Sequence, residues 1–430
     1  MSYSSERFNL RDNTTFPNKF FTFCMVSMIV LNTYTIGPIA IGEILMFGVF
    51  LLFVSKVKIG DSNSAECAFY LYVGYSFITT VLNVVVFDLD YQSPTLRMLR
   101  DAFYLVLIFV FAKRFFDYQY AIRLMNILAV ILSTYILIQF FAYLFFGVYI
   151  PGVMPGLNVG GRSFDDIKYN MTVTASILGY IRPNGFLAEP SNCGHFLALV
   201  LFINLHHDNG SIQIPRIILF VFAILCTTSA NGIVLMCLAF LIWFFQKIKK
   251  PYNNNQLRNV LLFGWILLIV AFIAYTNFSV VQNVIHRLLL LGSKKQGSGA
   301  IRVIRGFMFY KELPLFSKVF GIGFGNFDGI KSLMHINTEY EYDVEYMSMD
   351  SYILVSVGII GVALILLALF HSFDRKTMVG KGSILLLIVM GISSSVYSTA
   401  IFAVYLAIYL HSDKSKIVVG SYEYKRKYLN

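Results

Sequence analysis

Apolar runs follow one another along almost the whole chain, and a single long polar insert, Thr276 to Asp350, interrupts them. A bilayer core about 30 Å thick is crossed by roughly 17 to 25 apolar residues in a helix. Runs of that order, bounded by charge or turn residues, occur at Phe20 to Ile36, Pro38 to Val54, Cys67 to Phe87, Leu99 to Ala112, Leu124 to Val148, Asn192 to Leu205, Ile217 to Thr228, Gly232 to Phe245, Val260 to Tyr275, Ser351 to Phe370, Ile384 to Val396 and Thr399 to Leu410. They predict an all-α, polytopic bundle of about twelve membrane helices built as a single unit over 1–430. Several runs are short, and the junctions at Gly37-Pro38, Ser229-Ala230-Asn231 and Tyr397-Ser398 leave counts of ten or eleven open.

Composition agrees: 57% hydrophobic and 13% charged residues, with a mean hydropathy of +0.69, exclude an ordinary soluble domain. Lys and Arg gather in short cytoplasmic loops of membrane proteins. With the amino terminus placed inside, seven inner segments hold well over half of the 34 basic residues, and the tightest outer turns hold none. This predicts a multi-pass protein of the bacterial cytoplasmic (inner) membrane with both termini cytoplasmic and the large loop extracytoplasmic, between spans nine and ten. The net charge of +11 then follows from orientation and from contact with anionic lipid headgroups, and calls for no nucleic-acid partner. The first run lacks a small-residue cleavage site and reads as a signal anchor. Cys24, Cys67, Cys193, Cys226 and Cys237 show no metal-ligand spacing, so neither a metal site, a cofactor nor a disulfide framework is expected. No repeat relates the two halves, and a major-facilitator transporter would carry its long loop inside, after span six.

Two outer loops, 149–191 and 276–350, hold most of the charge available for chemistry. The first contains Arg162 and ends in Arg182-Pro183-Asn184-Gly185-Phe186-Leu187-Ala188-Glu189-Pro190-Ser191, a stiff, irregular approach to span six that holds Arg182 and Glu189 near membrane depth. Such charges either pair with each other or face an anionic ligand, to which a guanidinium binds bidentately. The second loop predicts an interfacial helix from about Ala300 to Lys311, stopped ahead of Pro314. Arg302, Arg305 and Phe309 share one face of it, which would lie at headgroup level. Arg287 belongs to a basic cluster upstream. Gly321-Ile322-Gly323-Phe324-Gly325-Asn326-Phe327 lacks the context of a phosphate loop and reads as a tight turn with close backbone approach. Beyond it, His335 can titrate near neutral pH. Tyr340 and Tyr342, set among acids, can offer ring faces to sugars. Asp88, Asp90, Arg97, Arg100 and Asp101 crowd the outer ends of spans three and four and are expected to pair with one another. Thr227 to Asn231 is expected to satisfy exposed helix ends.

Taken in order, Arg182 to Ser191, Thr228-Ser229-Ala230-Asn231-Gly232, Gly299-Ala300-Ile301-Arg302 leading to the glycine-rich turn, and Asp350-Ser351-Tyr352 followed by Gly358-Ile359-Ile360-Gly361 resemble the Wzy-type O-antigen and exopolysaccharide polymerases, within the group that includes O-antigen ligases. The likeness covers roughly 149 to 363. Ligases usually carry a histidine where Met349-Asp350 stands, which favours polymerase over ligase, while the paired Arg-x10-Gly motifs of some polymerases are not met. The resemblance implies transfer of a growing glycan from undecaprenyl diphosphate to a new lipid-linked repeat unit on the outer face of the membrane. Arg182, Arg302 and Arg305 would stabilise the diphosphate, and Glu189, Asp350 and His335 are the candidate bases in that order. Arg162, Arg287, Tyr340 and Tyr342 are candidate substrate contacts. The partners implied are the undecaprenyl-diphosphate-linked oligosaccharide and membrane lipids, with a chain-length regulator protein left open. A lipid-linked oligosaccharide flippase is the alternative of a different class. It would place charges along span interiors, which here are almost charge-free.

Overall fold

The computed structural model describes residues 15–37, 39–57, 64–159, 163, 165–166, 168–169, 173, 181–206, 213–249, 276, 282, 298–334, 347–371 and 373–413. In chain order the helices are α1 (Phe16–Leu31), α2 (Ile41–Phe53), α3 (Ser64–Phe87), α4 (Gln92–Val106), α5 (Lys113–Phe115), α6 (Tyr118–Phe146), α7 (Pro190–His206), α8 (Ile214–Cys226), α9 (Ala230–Lys249), α10 (Ser298–Glu312), α11 (Leu315–Phe320), α12 (Phe327–Leu333), α13 (Met349–Phe370), α14 (Met378–Ser393) and α15 (Ala400–His411). A π-helical stretch, Leu107–Ala112, joins α4 to α5. Helices thus cover the apolar runs that fall in the described residues, whereas the run Val260 to Tyr275 lies outside them. Among the described residues four segments are long and apolar enough to cross a membrane: Cys67–Phe87, Tyr118–Phe146, Ala230–Lys247 and Met349–Arg375. The chain is a helical membrane protein.

The helix limits have local causes. Asp117 caps α6 by accepting from Tyr120 N at 2.9 Å, and α6 ends on Gly147 at φ 64°. Gly147 thereby takes the left-handed conformation that stops a helix without a Cβ penalty. At the bend between α5 and α6, Thr22 of α1 donates to Phe115 O and accepts from Asp117 N at 2.8 Å, satisfying groups that the helix break leaves open.

One departure from an all-helical reading lies at the first junction. The run expected to stay apolar and helical to Ile36 stops at Leu31, and Tyr34–Ile36 (β1) and Ile39–Ala40 (β2) form an antiparallel hairpin. Asn158–Val159 (β3), from the first long loop, adds to its other edge. Asn32 caps the end of α1, and the aromatic and β-branched residues Tyr34, Thr35 and Ile36 suit a strand.

Helix α7 lies at the centre. Cys193 to Ile203 are all buried, and α7 packs against α6, α8, α9, α14 and α15. A helix apolar on every side belongs in the middle of a bundle. Its closest neighbour is α9, where a Cβ on Gly194 would fall 2.7 Å from Gly232 Cα, so the two backbones meet at a pair of glycines. By contrast α3 presents Leu71, Phe77, Ile78, Leu82, Val85 and Val86 outward, as a surface facing hydrocarbon should.

The glycine-rich turn is a plug into the bundle. Helix α13 is broken at Gly358, whose backbone (φ 62°, ψ −170°) lies in a region essentially reserved for glycine. Nine residues from Met349, the break sits roughly 13 Å along the helix. The carbonyls released there are taken up by the turn: Ile322 N donates to Val355 O at 3.1 Å and Gly323 N to Ser356 O at 2.8 Å. On the other side Phe324 N donates to Thr80 Oγ1 at 2.9 Å, and Asn326 Nδ2 donates to Thr80 O at 3.2 Å, tying the turn to α3. The close backbone approach expected of these glycines is therefore present.

A Cβ on Gly358 would fall 2.5 Å from Gly321 N. Gly358→Ala is expected to cost about 2 kcal/mol or more in stability from backbone strain and displacement of the turn. The check is the melting temperature in detergent, with fluorescence-detected size exclusion following folded yield; an unchanged profile would mean that the turn is not a structural tie.

Candidate functional site

At the end of the bundle where α1, α3 and α14 finish and α2, α4, α7, α13 and α15 begin, the helix ends enclose a cavity of about 420 Å³. Its walls carry Arg97, Arg100 and Arg302 together with Glu43, Asp101 and Glu189. Hydroxyl and amide groups fill the spaces between, among them Asn32, Ser191, Asn192, Ser394 and Tyr104. A polar, charge-bearing cavity at one end of an apolar bundle is a default binding site.

Two of the residues proposed from sequence meet here. Glu189 comes from the irregular segment leading into α7 and accepts from Ser191 Oγ at 3.0 Å. Arg302 comes from α10, which packs on α13 and α14, and its carbonyl accepts from Ser348 N at 3.2 Å. Burial pulls the Arg302 guanidinium below its ordinary pKa, and the Glu189 charge opposes that shift. An anion entering the cavity would oppose it further.

Other candidates are placed elsewhere. Arg305 is only 2% exposed and, like Arg182, does not line the cavity. The helix expected at the lipid interface forms, but Arg305 and Phe309 are buried in the protein, because α10 docks through that face. Asp350 also lies off the cavity wall, with its Oδ1 against the backbone of Gly391. Arg162, Arg287, His335, Tyr340 and Tyr342 lie outside the described residues.

The pairing expected near α3 and α4 is present in part: Asp101 interacts with Arg97 and Arg100, and further partners come from elsewhere in the chain. Arg100 reaches Glu43 on α2, with Nε at 3.1 Å from Oε1 and Nη2 at 3.3 Å from Oε2. Glu43 also accepts from Tyr104 Oη at 3.0 Å and from Ala40 N at 3.2 Å, and Asn32 Nδ2 donates to Tyr104 Oη at 2.9 Å. Asp101 accepts a short hydrogen bond from Ser398 Oγ, and Asp90 accepts from Gln92 N at the start of α4. Proximity along the sequence had suggested local pairs, but residues at i, i+3, i+4 and i+7 of α4 share one face, and that face meets α2 and the α14–α15 linker. Arg97, Arg100, Asp101 and Tyr104 have this spacing. It was the signal available, together with Glu43 as a lone acid inside an apolar run.

The floor is a buried polar network centred on His195 of α7, which the sequence reading did not single out. His195 Nε2 and Ser394 Oγ lie 3.2 Å apart, Asn231 Nδ2 donates to Ser394 Oγ at 2.7 Å, and Ser393 Oγ donates to Asn231 Oδ1 at 2.7 Å. Thr227 and Ser229 hold the α8–α9 turn as expected, with Thr227 Oγ1 accepting from Ser229 N and Ser229 Oγ accepting from Gly232 N. The linker Ser394 to Thr399 forms the longest continuous wall, and Ser398, which donates to Asp101, has a left-handed backbone, φ 51°.

No known protein family, curated protein or solved structure matches this chain.

The Glu43–Arg100 pair lends itself to a double-mutant cycle. Glu43→Gln, Arg100→Gln and the double variant are expected to show a coupling of about 1 kcal/mol, moderated by the partial exposure of Arg100. Equilibrium unfolding in detergent measures it, and strict additivity would mean that the pair is not formed.

Proposed function

We propose that the protein is a polymerase of lipid-linked oligosaccharide repeat units, of the O-antigen or a related surface polysaccharide, working on the outer face of the bacterial inner membrane. The observation that carries the reading is the meeting of Glu189 and Arg302 in one cavity, since they come from the two segments singled out in the sequence as handling a diphosphate and a hydroxyl. The twelve-span topology with both termini cytoplasmic belongs to the same proposal and puts this end of the bundle outside.

In the reaction the anomeric carbon–oxygen bond to undecaprenyl diphosphate breaks as a hydroxyl of the acceptor repeat unit bonds to that carbon. The hydroxyl proton passes to a base, and the electron pair of the broken bond leaves on the diphosphate. Charge therefore develops on phosphate oxygens. A fixed guanidinium in a site of low dielectric stabilises that charge in the transition state more than in the ground state. Arg302 takes this role. Glu189, which lines the same cavity, takes the proton. Asp350 lies off the wall and is the weaker candidate. Holding both lipids in one cavity supplies the proximity that a reaction between two membrane-bound substrates needs.

The test begins with a lipopolysaccharide or capsule gel of a host strain lacking the gene. Loss of the ladder with a single-repeat band remaining is expected; loss of all repeat units would indicate ligase or flippase, and an unchanged ladder would refute the reading. Complementation with Arg302→Ala is expected to reduce polymer by about a hundredfold or more at unchanged protein level. Glu189→Gln should show the same phenotype if it is the base, and long chains persisting in both variants would remove them from the mechanism.

A further inference from the structure

A reaction between two lipid-linked diphosphates needs two headgroup positions, and Arg302 can occupy only one. The cavity has a second pair of arginines on a different element. Arg97 and Arg100 lie one turn apart on α4, which packs against α3, whereas α10 with Arg302 packs against α13 and α14.

Arg100 is built to present a free edge. Glu43 takes the guanidinium from the side, through Nε and one hydrogen on Nη2. A guanidinium carries five N–H groups in a rigid plane, so the Nη1 hydrogens and the second on Nη2 remain, and together they form the fork that matches two phosphate oxygens. Among the described residues Arg100 has Glu43 as its sole ion-pair partner, and its side chain is 36% exposed. The carboxylate that holds it is itself fixed by Tyr104 and Ala40 N, and Asn32, just past the end of α1, fixes Tyr104. The arginine therefore loses little further freedom on meeting an anion.

Acids share these walls, and Asp101 acts on both Arg97 and Arg100. Glu43 is engaged by Arg100, Tyr104 and Ala40 N, and Asp101 is held by Ser398. Three arginines and three carboxylates line the cavity, so anion binding there depends on the donor edge that Arg100 presents rather than on net charge.

We propose that Arg97 and Arg100 form a second diphosphate-binding pole, taking the headgroup of the acceptor lipid while Arg302 takes that of the donor, with Glu43 as the positioning residue for Arg100. The assignment rests on the polymerase reading for the names donor and acceptor. The existence of two anion sites does not.

The test titrates farnesyl diphosphate, a polyprenyl diphosphate without sugar, into the full-length protein in detergent by calorimetry. Wild type is expected to bind two equivalents, Arg302→Ala one, and Arg97→Gln/Arg100→Gln one. Glu43→Gln should keep both equivalents but weaken one by about tenfold, the size of one charge-assisted hydrogen bond. Because Arg100→Gln leaves Glu43 uncompensated, Arg97→Gln is measured alone as well, and size exclusion checks the fold of each variant. Two equivalents retained in both α4 variants, a single equivalent in wild type that Arg302→Ala removes, or no binding at all would each overturn the second pole. The polymerase reading is tested separately by the glycan ladder, so either can fail while the other stands.

Discussion

Two backbone hydrogen bonds bear on nearly everything at the functional end: those from Ile322 and Gly323 to the carbonyls of Val355 and Ser356. Inside an apolar bundle there is no water to satisfy a broken helix, so the break at Gly358 needs donors from elsewhere. The glycine-rich turn supplies them and is fixed in place by doing so. Phe324 then stacks on Tyr397 with ring centroids 5.4 Å apart, and Phe327 on Tyr352 at 5.2 Å. Tyr352 and Tyr397 both face the cavity. One turn therefore joins α3, α13 and the α14–α15 linker, and Phe327 just beyond it meets Phe309 of α10 with ring centroids 5.9 Å apart.

Around that frame, charge is stored in tethered form. Glu43 and Arg100 hold each other across α2 and α4, Ser398 holds Asp101, and His195 sits in a chain of hydroxyls and an amide that reaches three helices. Each tether crosses between elements, so these contacts also fix the relative positions of the helix ends. A polar group buried without a partner costs of the order of 1–3 kcal/mol, so these contacts help to hold that end of the bundle together. Rigid placement of arginines is what electrostatic stabilisation of a leaving diphosphate requires.

The helical class was legible in the sequence, for identifiable reasons. Long apolar runs become helices in a membrane because no other open structure satisfies the backbone, so Cys67–Phe87 and Met349–Phe370 could be read directly. Glu189 could be named because a charge held near membrane depth is costly, and Arg302 because it falls on one face of a predicted interfacial helix. What misled was distance along the chain. Arg97, Arg100 and Asp101 stand near Asp88 and Asp90, yet Arg100 bonds a residue 57 positions away and Asp101 one 297 positions away. The helix on which Arg302 sits was read as lying on lipid, because an amphipathic pattern looks alike whether its polar face meets headgroups or a protein cavity.

The apolar pattern by itself determined the helical class, the positions of most helices and the concentration of chemistry at a few polar segments. It also marked the glycines that would need close backbone contact. Only the tertiary structure decided which charges share a cavity, that α13 breaks at Gly358 and is mended by a turn from the preceding loop, and that Glu43 and His195 belong to the site. The reason is physical. Burial of apolar surface depends on composition and period, which are local, whereas a hydrogen bond or ion pair needs a partner within about 3 Å, and helix packing chooses that partner.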